Sequence, residues 1–184
     1  MIDIRPLTTL TLPDFQRIAS GYRADKQYAV TYTTTAGGVA FTLEPVWLAQ
    51  PFIKEWTHEA DTIARYAAIL AAGYSFGAYA GVMLVGIVVA EAHEWNHSLW
   101  VWEFHVATDY RHHGIGRRLM ASVVEKAREA KFRVIVCETQ NTNGTGIDIY
   151  RQLGFQVEGV DISYYTNQDY PDGEVAVFMK RRLD

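Results

Sequence analysis

Four linked segments between Leu99 and Cys137 limit this chain more than anything else in it. Leu99–Val106 alternates, which places Trp100, Trp102, Phe104 and Val106 on one side of a strand. A basic loop comes next, Arg111-His112-His113-Gly114-Ile115-Gly116-Arg117-Arg118. Leu119, Met120, Val123, Val124 and Ala127 then recur at helical spacing, with Arg117, Arg118, Glu125 and Arg128 outside. Val134-Ile135-Val136-Cys137 is an unbroken apolar run, as in a strand covered on both faces. Strand, glycine loop, amphipathic helix and buried strand, in that order, predict an α/β fold with a central sheet and helices on its faces.

The other segments fit around that unit. Ile2–Arg5 reads as a strand stopped by Pro6, and Pro13-Asp14 open a helix with Phe15, Ile18 and Ala19 on one face. From Tyr28 to Trp56 the chain is aromatic and irregular. Gly37-Gly38 turns between Tyr28–Thr34 and Val39–Leu43, and Pro45 and Pro51 prevent a long helix. His58–Ala72 carries Ile63, Ala67 and Leu70 at helical spacing and stops at Gly73. Strands Tyr74–Ala80 and Val82–Ala92 flank Gly81, and a helix from Thr145 to Leu153 ends at Gly154. Gln156–Tyr165 and Val175–Lys180 are the last strands. No repeat or linker interrupts the sequence, so one domain over residues 1–184 is expected.

Composition removes several classes. Hydrophobic residues are 49% and charged residues 21%, the usage of a globular chain rather than a disordered one. The net charge is −4, which disfavours general nucleic-acid binding. The longest apolar stretch, Val82–Ala92, is broken by Gly86 and Glu91 and is too short to span a bilayer. With Cys137 as the single cysteine and no basic-then-apolar leader, a cytoplasmic location without membrane partners is expected.

Two motifs bear on chemistry. His93-Glu94-Trp95-Asn96-His97 matches the two-histidine zinc-protease pattern, which needs both histidines on one helical turn. The flanks here are strand-like, and strand positions four apart lie roughly 13 Å apart, too far to share one ion. A hairpin tip and no metal are therefore expected, with a zinc hydrolase using His93 and His97 as the rival. The Arg111–Gly116 loop opens a helix, whose free backbone N–H groups suit phosphate, and its glycines allow close approach. No Gly-Lys-Ser/Thr comes after it, so it is not an ATPase loop.

Arg111-x-x-Gly114-x-Gly116 resembles the acetyl-coenzyme A pyrophosphate motif of the GNAT acetyltransferase superfamily. Asn143, Tyr150 and Leu153-Gly154-Phe155 resemble its second cofactor motif. Within the superfamily, Glu138–Asn143, Gly159-Val160-Asp161 with Tyr165 and Asn167, and Glu174–Phe178 are similar to the streptothricin acetyltransferase family. Thr42–Glu44 and Pro51–Lys54 are similar too. The resemblance implies a mixed, mostly antiparallel sheet in which the parallel strands Leu99–Val106 and Val134–Cys137 splay apart. It also implies acetyl-CoA as the acyl donor, with no metal. The pantetheine arm would lie along His105, Val106 and Thr108, and the pyrophosphate on Arg111, His112, His113, Gly114, Ile115, Gly116 and Arg117. Asn143 would hold the arm or cap the helix.

The acceptor amine must be neutral to attack a thioester, so a base is needed, and Glu103 holds the strand position for it. Tyr150 would protonate the leaving thiolate, since a phenol pKa of about 10 lies close to a thiol's. Gly146 stands where the family usually has alanine, and Gly144 precedes it; two helical glycines cost about 1 kcal/mol each, so the helix is expected to begin at Thr145 or later. A cationic acceptor would favour Glu44, Trp47, Asp161, Tyr164 and Tyr165, with Trp56 and Trp95 as further aromatics. The resemblance implies transfer to a small-molecule primary amine, a streptothricin-like antibiotic being one case. Protein, peptide or polyamine amines, a non-catalytic CoA sensor, and a homodimer are the alternatives.

Overall fold

The computed structural model describes residues 1–183. The chain groups into two compact units. The first holds Met1–Gly21, Glu55–Cys137 and the C-terminal residues from Arg181; the second holds Tyr22–Lys54 and Glu138–Lys180.

In the first unit, β1 (Ile2–Pro6), β4 (Phe76–Ala80), β5 (Met83–His93), β6 (Ser98–Val106) and β7 (Val134–Gln140, which passes into the second unit) lie in the order β1-β4-β5-β6-β7. All neighbours are antiparallel except β6 and β7, which run parallel, as the resemblance implied. The mixed, mostly antiparallel sheet is therefore present. Helices α1 (Leu12–Ile18) and α2 (Ala60–Ala71) bury Phe15, Ile18, Tyr66, Ile69 and Leu70 against Ile87 and Val89 of β5. Helix α3 (Ile115–Glu129) lies on the other face, where a Cβ added to Gly86 would meet Leu119. Thr11 caps α1 by accepting from the Asp14 N–H, and Gly73, at φ 79°, ends the turn after α2.

One expectation about β6 fails, and the reason fixes the site. Val89 pairs with Glu103 but Ala90 pairs with Val101, so Trp102 is an extra residue, a β-bulge. Strict alternation would put all four of Trp100, Trp102, Phe104 and Val106 on one side. Instead Trp102 packs on the α1/α2 core, while Phe104 and Val106 lie against Gly116 of α3. The bulge turns Glu103 and His105 toward the α2 side, opposite Val89 and Ile87.

The second unit departs further from the sequence expectation. Tyr28–Trp56 is not irregular. β2 (Gly21–Thr35) and β3 (Gly38–Glu55) form a long two-stranded ribbon, most of it in this unit, that turns at the expected glycines. Pro45 and Pro51 sit inside β3, which is allowed because each strand of a two-stranded ribbon keeps a free edge. Helix α4 (Gly144–Gln152) starts earlier than expected. β8 (Gln156–Asp161) and β9 (Ala176–Arg182) pair antiparallel, and β8 ends four residues short of the expected Tyr165 because Asp161 turns the chain by accepting from the Ser163 N–H at 3.0 Å.

Candidate active site

In the first unit the β6–β7 ladder stops at Val101↔Cys137. The β7-facing backbone edge of residues 102–106 has no ladder partner among the described pairings, which leaves it able to add an extended ligand. The loop after β6 then curls through His112 at φ 65° and Gly114 at φ 73°, both left-handed. Gly114 is the N-cap of α3 and has no side chain to offer, and the first intrahelical bond runs from the Arg118 N–H to the Gly114 carbonyl. The amides of Ile115, Gly116 and Arg117 therefore point out of the helix without a cap, the arrangement that binds anions.

Arg111 plays a different part from the charge expected of it. Its Nε donates to the Val106 carbonyl at 3.0 Å and its second guanidinium nitrogen to Gly21 at 3.5 Å, so it ties the loop to β6. His113 Nδ1 lies 2.7 Å from the Arg111 carbonyl and tightens the same turn. Gly116 is needed for a reason the sequence did not show, since a Cβ there would stand 3.2 Å from Phe104 Cζ.

Glu103 is not an ordinary solvated carboxylate. The hydroxyl of Tyr66 donates to its Oε1, and His105 Nε2 lies 2.6 Å from its Oε2. The side chains of His105 and Glu103 are only 14% and 17% exposed. Trp56 packs edgewise on the His105 ring, with centroids 5.1 Å apart. Burial, and then the neighbouring Glu103 charge, push the Tyr66 hydroxyl well above the usual phenol range, so it remains a donor. Tyr66 escaped sequence reading because it is one apolar position of an alanine-rich helix, 37 residues from its partner.

The second unit holds the other expected residues. Asn143 is the N-cap of α4: its Oδ1 accepts from the Gly146 N–H at 2.9 Å, and its Nδ2 donates to Thr139 Oγ1 at 3.2 Å. The helix begins at Gly144 and not later because both glycines are demanded by contact. A Cβ at Gly144 would run into the Lys26 carbonyl, and one at Gly146 into the capping Asn143 side chain. Tyr28 and Lys26 of β2 hold the helix, Tyr28 donating to Asp148 at 3.0 Å and Lys26 pairing with the same carboxylate. Tyr150 lies half-buried on α4, its ring 5.4 Å from Phe155.

The expected acceptor residues are not one cluster. In the second unit, Glu44 is exposed, Trp47 is 75% exposed beneath the Lys26 ammonium, and Asp161 is spent on its own turn. Tyr164 and Tyr165 form an edge-to-face pair with centroids at 5.2 Å. In the first unit, Trp95 lies at the β5–β6 hairpin tip and Trp56 against His105. A polar group in the second unit went unassigned. Tyr165 donates to Glu138 and accepts from Gln140 at 3.1 Å, while Glu174 accepts from Lys54, Thr142 (2.6 Å) and Tyr22 (3.2 Å). Burial raises the Glu138 pKa. Burial also acts to raise that of Glu174, but the Lys54, Thr142 and Tyr22 hydrogen bonds outweigh it and hold the carboxyl below its ordinary range.

The tip expected at His93–His97 is a hairpin: a single 3₁₀ turn, Glu94–Asn96, joins β5 to β6, and His97 is left-handed at φ 50°. The two histidines are therefore not on one helical turn.

A strand with a free edge, an uncapped helix N-terminus and a second helix capped by asparagine are joined by a sequence match. The GNAT acetyltransferase family pattern matches residues 45–155. The chain belongs to the GNAT acetyltransferase family. This GNAT chain is 33% identical over 96 residues to streptothricin acetyltransferase of Streptomyces lavendulae, over 52% of this chain and 50% of that protein. The chain spans about half the length of the curated relatives it matches. Among solved structures, nourseothricin acetyltransferase is similar over 100% of this chain and 99% of its own, with a TM-score of 0.74 and 30% identity. A Bacillus anthracis str. Ames protein solved in complex with acetyl coenzyme A shares the GNAT fold, with a TM-score of 0.75 and 23% identity over 99% of both chains. No helix among the described residues of this GNAT chain is long and apolar enough to cross a membrane.

Proposed function

We propose that this chain transfers an acetyl group from acetyl-CoA to a primary amine of a small cationic molecule, with a streptothricin-type antibiotic as the leading acceptor. The observation that carries the reading is the uncapped start of α3 beside the unladdered edge of β6, in a chain of the GNAT family. Support for the donor comes from the Bacillus anthracis structure holding acetyl coenzyme A, and for the acceptor from the streptothricin and nourseothricin relatives. The family match runs through residues of both units, which supports one acetyltransferase domain over the whole chain.

Acetyl-CoA supplies an activated acyl carbon and a thiolate leaving group when bound. In this reading the edge at His105 and Val106, with Thr108, holds the pantetheine amides. The amides from His112 to Arg117 hold the pyrophosphate, and Arg111 sets their loop. Asn143 fixes the start of α4, and Tyr150 on that helix donates a proton to the departing sulfur. Glu103 is the half-buried carboxylate that drives removal of the acceptor's proton. Of the residues expected to meet a cation, the Tyr164–Tyr165 pair is the most built, Glu44 and Trp47 offer a separate exposed carboxylate and ring, and Asp161 stays with its own turn.

The test is thiol release from acetyl-CoA with nourseothricin, polyamines and N-terminal peptides as separate acceptors. Turnover with the antibiotic at least tenfold above the other arms is expected. Preference for peptides or polyamines would move the acceptor class, and binding of acetyl-CoA without turnover on any amine would make the protein a CoA sensor.

A further inference from the structure

We propose that His105, through Nδ1, is the atom that takes the acceptor's proton, with Glu103 and Tyr66 as the residues that position it; this rests on the acetyl-transfer reading above. Both Glu103 oxygens are already engaged, Oε1 by the Tyr66 hydroxyl and Oε2 by His105 Nε2 at 2.6 Å. A carboxylate only accepts, so both partners must donate to it. A neutral His105 then carries its hydrogen on Nε2 and presents a lone pair at Nδ1. Nδ1 makes no hydrogen bond among the described residues. Each Glu103 oxygen keeps a second lone pair, but both oxygens carry a donor that lowers their basicity, whereas Nδ1 carries none among the described residues.

The surroundings hold this arrangement still. Tyr66 is 4% exposed and packs edge-to-face on Phe15 at 5.8 Å, so its hydroxyl cannot wander. Trp56 blocks rotation of the imidazole from one side. The charged and titratable groups facing the pair are Tyr66 and Arg65 from α2 and His58 from the segment before it. The ring Nε2 of His58 lies 2.6 Å from the Ala19 carbonyl and is therefore occupied. β5 presents Ile87 and Val89 across the strand and, two residues beyond Val89, the Glu91 carboxylate, which accepts from Trp102 Nε1 at 2.6 Å. A base whose far nitrogen is held by a half-buried carboxylate, itself held by a third group, obeys the general logic of an oriented acid–base chain.

The proton count closes. The acceptor ammonium gives one proton to Nδ1 and becomes a neutral amine. The N–C bond forms, the C–S bond breaks, and the remaining excess proton on nitrogen passes to the thiolate side. His105 later loses its proton to solvent, so one proton is released per acetyl transferred.

Two measurements on the full chain decide the matter. In the first, long-range ¹H–¹⁵N spectra of the ring read the tautomer without any turnover. The neutral ring should be protonated at Nε2 in the parent and shift toward Nδ1 protonation in Glu103→Gln. An Nδ1-protonated ring in the parent would overturn the proposal. In the second, His105→Gln should lower kcat by about 10²–10⁴-fold with little change in the acetyl-CoA KM. His105→Ala should regain turnover with added imidazole, in proportion to its neutral fraction. Tyr66→Phe should lower kcat about fivefold, as for one lost hydrogen bond, with KM unchanged. Full kcat in His105→Gln alongside an inactive Glu103→Gln would make Glu103 itself the base. Failure of the parent to acetylate any amine, with the expected tautomer present, would overturn the acetyl-transfer reading instead.

Discussion

Gly116, in the first turn of α3, lies so close to Phe104 of β6 that a Cβ on the glycine would come within 3.2 Å of the ring. One absent methyl thus sets how closely the helix start approaches the strand edge. Gly116→Val should weaken acetyl-CoA binding at least tenfold, about 1.4 kcal/mol, by pushing the start of α3 and its amides away from the β6 edge. It should also lower Tm, because the branched side chain must displace Phe104. Calorimetry showing unchanged affinity would take the phosphate role away from this loop.

Tyr150→Phe keeps the ring against Phe155 and should leave the fold intact. Loss of a general acid lowers kcat by about 10²–10⁴-fold, with little change in cofactor affinity. The loss should shrink with an acyl donor whose thiol leaves more easily. Full kcat, with chemistry shown to be rate-limiting, would make Tyr150 a packing residue.

Gly144→Ala sets two effects against each other. Alanine gains about 1 kcal/mol of helix propensity, but its Cβ meets the Lys26 carbonyl, which is backbone and slow to yield. Overpacking of that kind costs about 1–3 kcal/mol, so a net loss of stability is expected in urea melts. A gain would mean that β2 gives way at Lys26.

Glu138 and Glu174 should respond to acid with opposite signs. The Glu138 pKa is raised by burial, so the folded state binds its proton more tightly than the unfolded state does. Its contribution to stability therefore falls as pH rises from about 4.3 through the folded value. Glu138→Gln should raise Tm at pH 7, and the gain should disappear in acid. The Glu174 pKa is lowered; burial alone would raise it, but its hydrogen bonds to Lys54, Thr142 and Tyr22 prevail. Its contribution is present above the unfolded value and lost as pH falls through the folded one. Glu174→Gln should lower Tm at pH 7, with the difference closing in acid. Thermal melts of the three proteins across pH 3–7 check both signs, and parallel curves would contradict the assignment.

His97 is left-handed at φ 50°, a conformation that glycine adopts without strain. His97→Gly should leave stability unchanged or raise it by up to about 1 kcal/mol. It and His93→Ala should keep kcat within a few-fold, with no inhibition by chelator. Loss of turnover restored by zinc would return these histidines to a metal role.

The strand–loop–helix–strand unit was legible because each segment has a single clear period and the glycines fall between them. The acetyl-CoA motifs were legible as a resemblance, and their residues fall at the starts of α3 and α4. The β2–β3 ribbon was not, because Pro45 and Pro51 read as breakers and only a strand with a free edge tolerates them. Nor were the partners of Glu103. Tyr66 reaches it from another element, and nothing in the period of an alanine-rich helix marks one tyrosine as polar. The early start of α4 was hidden for a similar reason, since propensity penalises Gly144 while the cause of the glycine lies on β2 at Lys26.

The extra residue at Trp102 puts the two halves of this strand out of phase. Val101 and Glu103 already face the adjacent residues Ala90 and Val89, so deleting Trp102 would close the ladder into plain alternation and leave Glu103 and His105 on the α2 side, with Phe104 and Val106 under α3. What would go is the indole on the α1/α2 core and its hydrogen bond to Glu91. Forcing Ser98–Val106 into a regular strand with Trp102 kept is the damaging change, because Glu103 and His105 would then trade sides with Phe104 and Val106. Anyone grafting this strand into another scaffold must count residues from the irregularity, not from the strand's first residue.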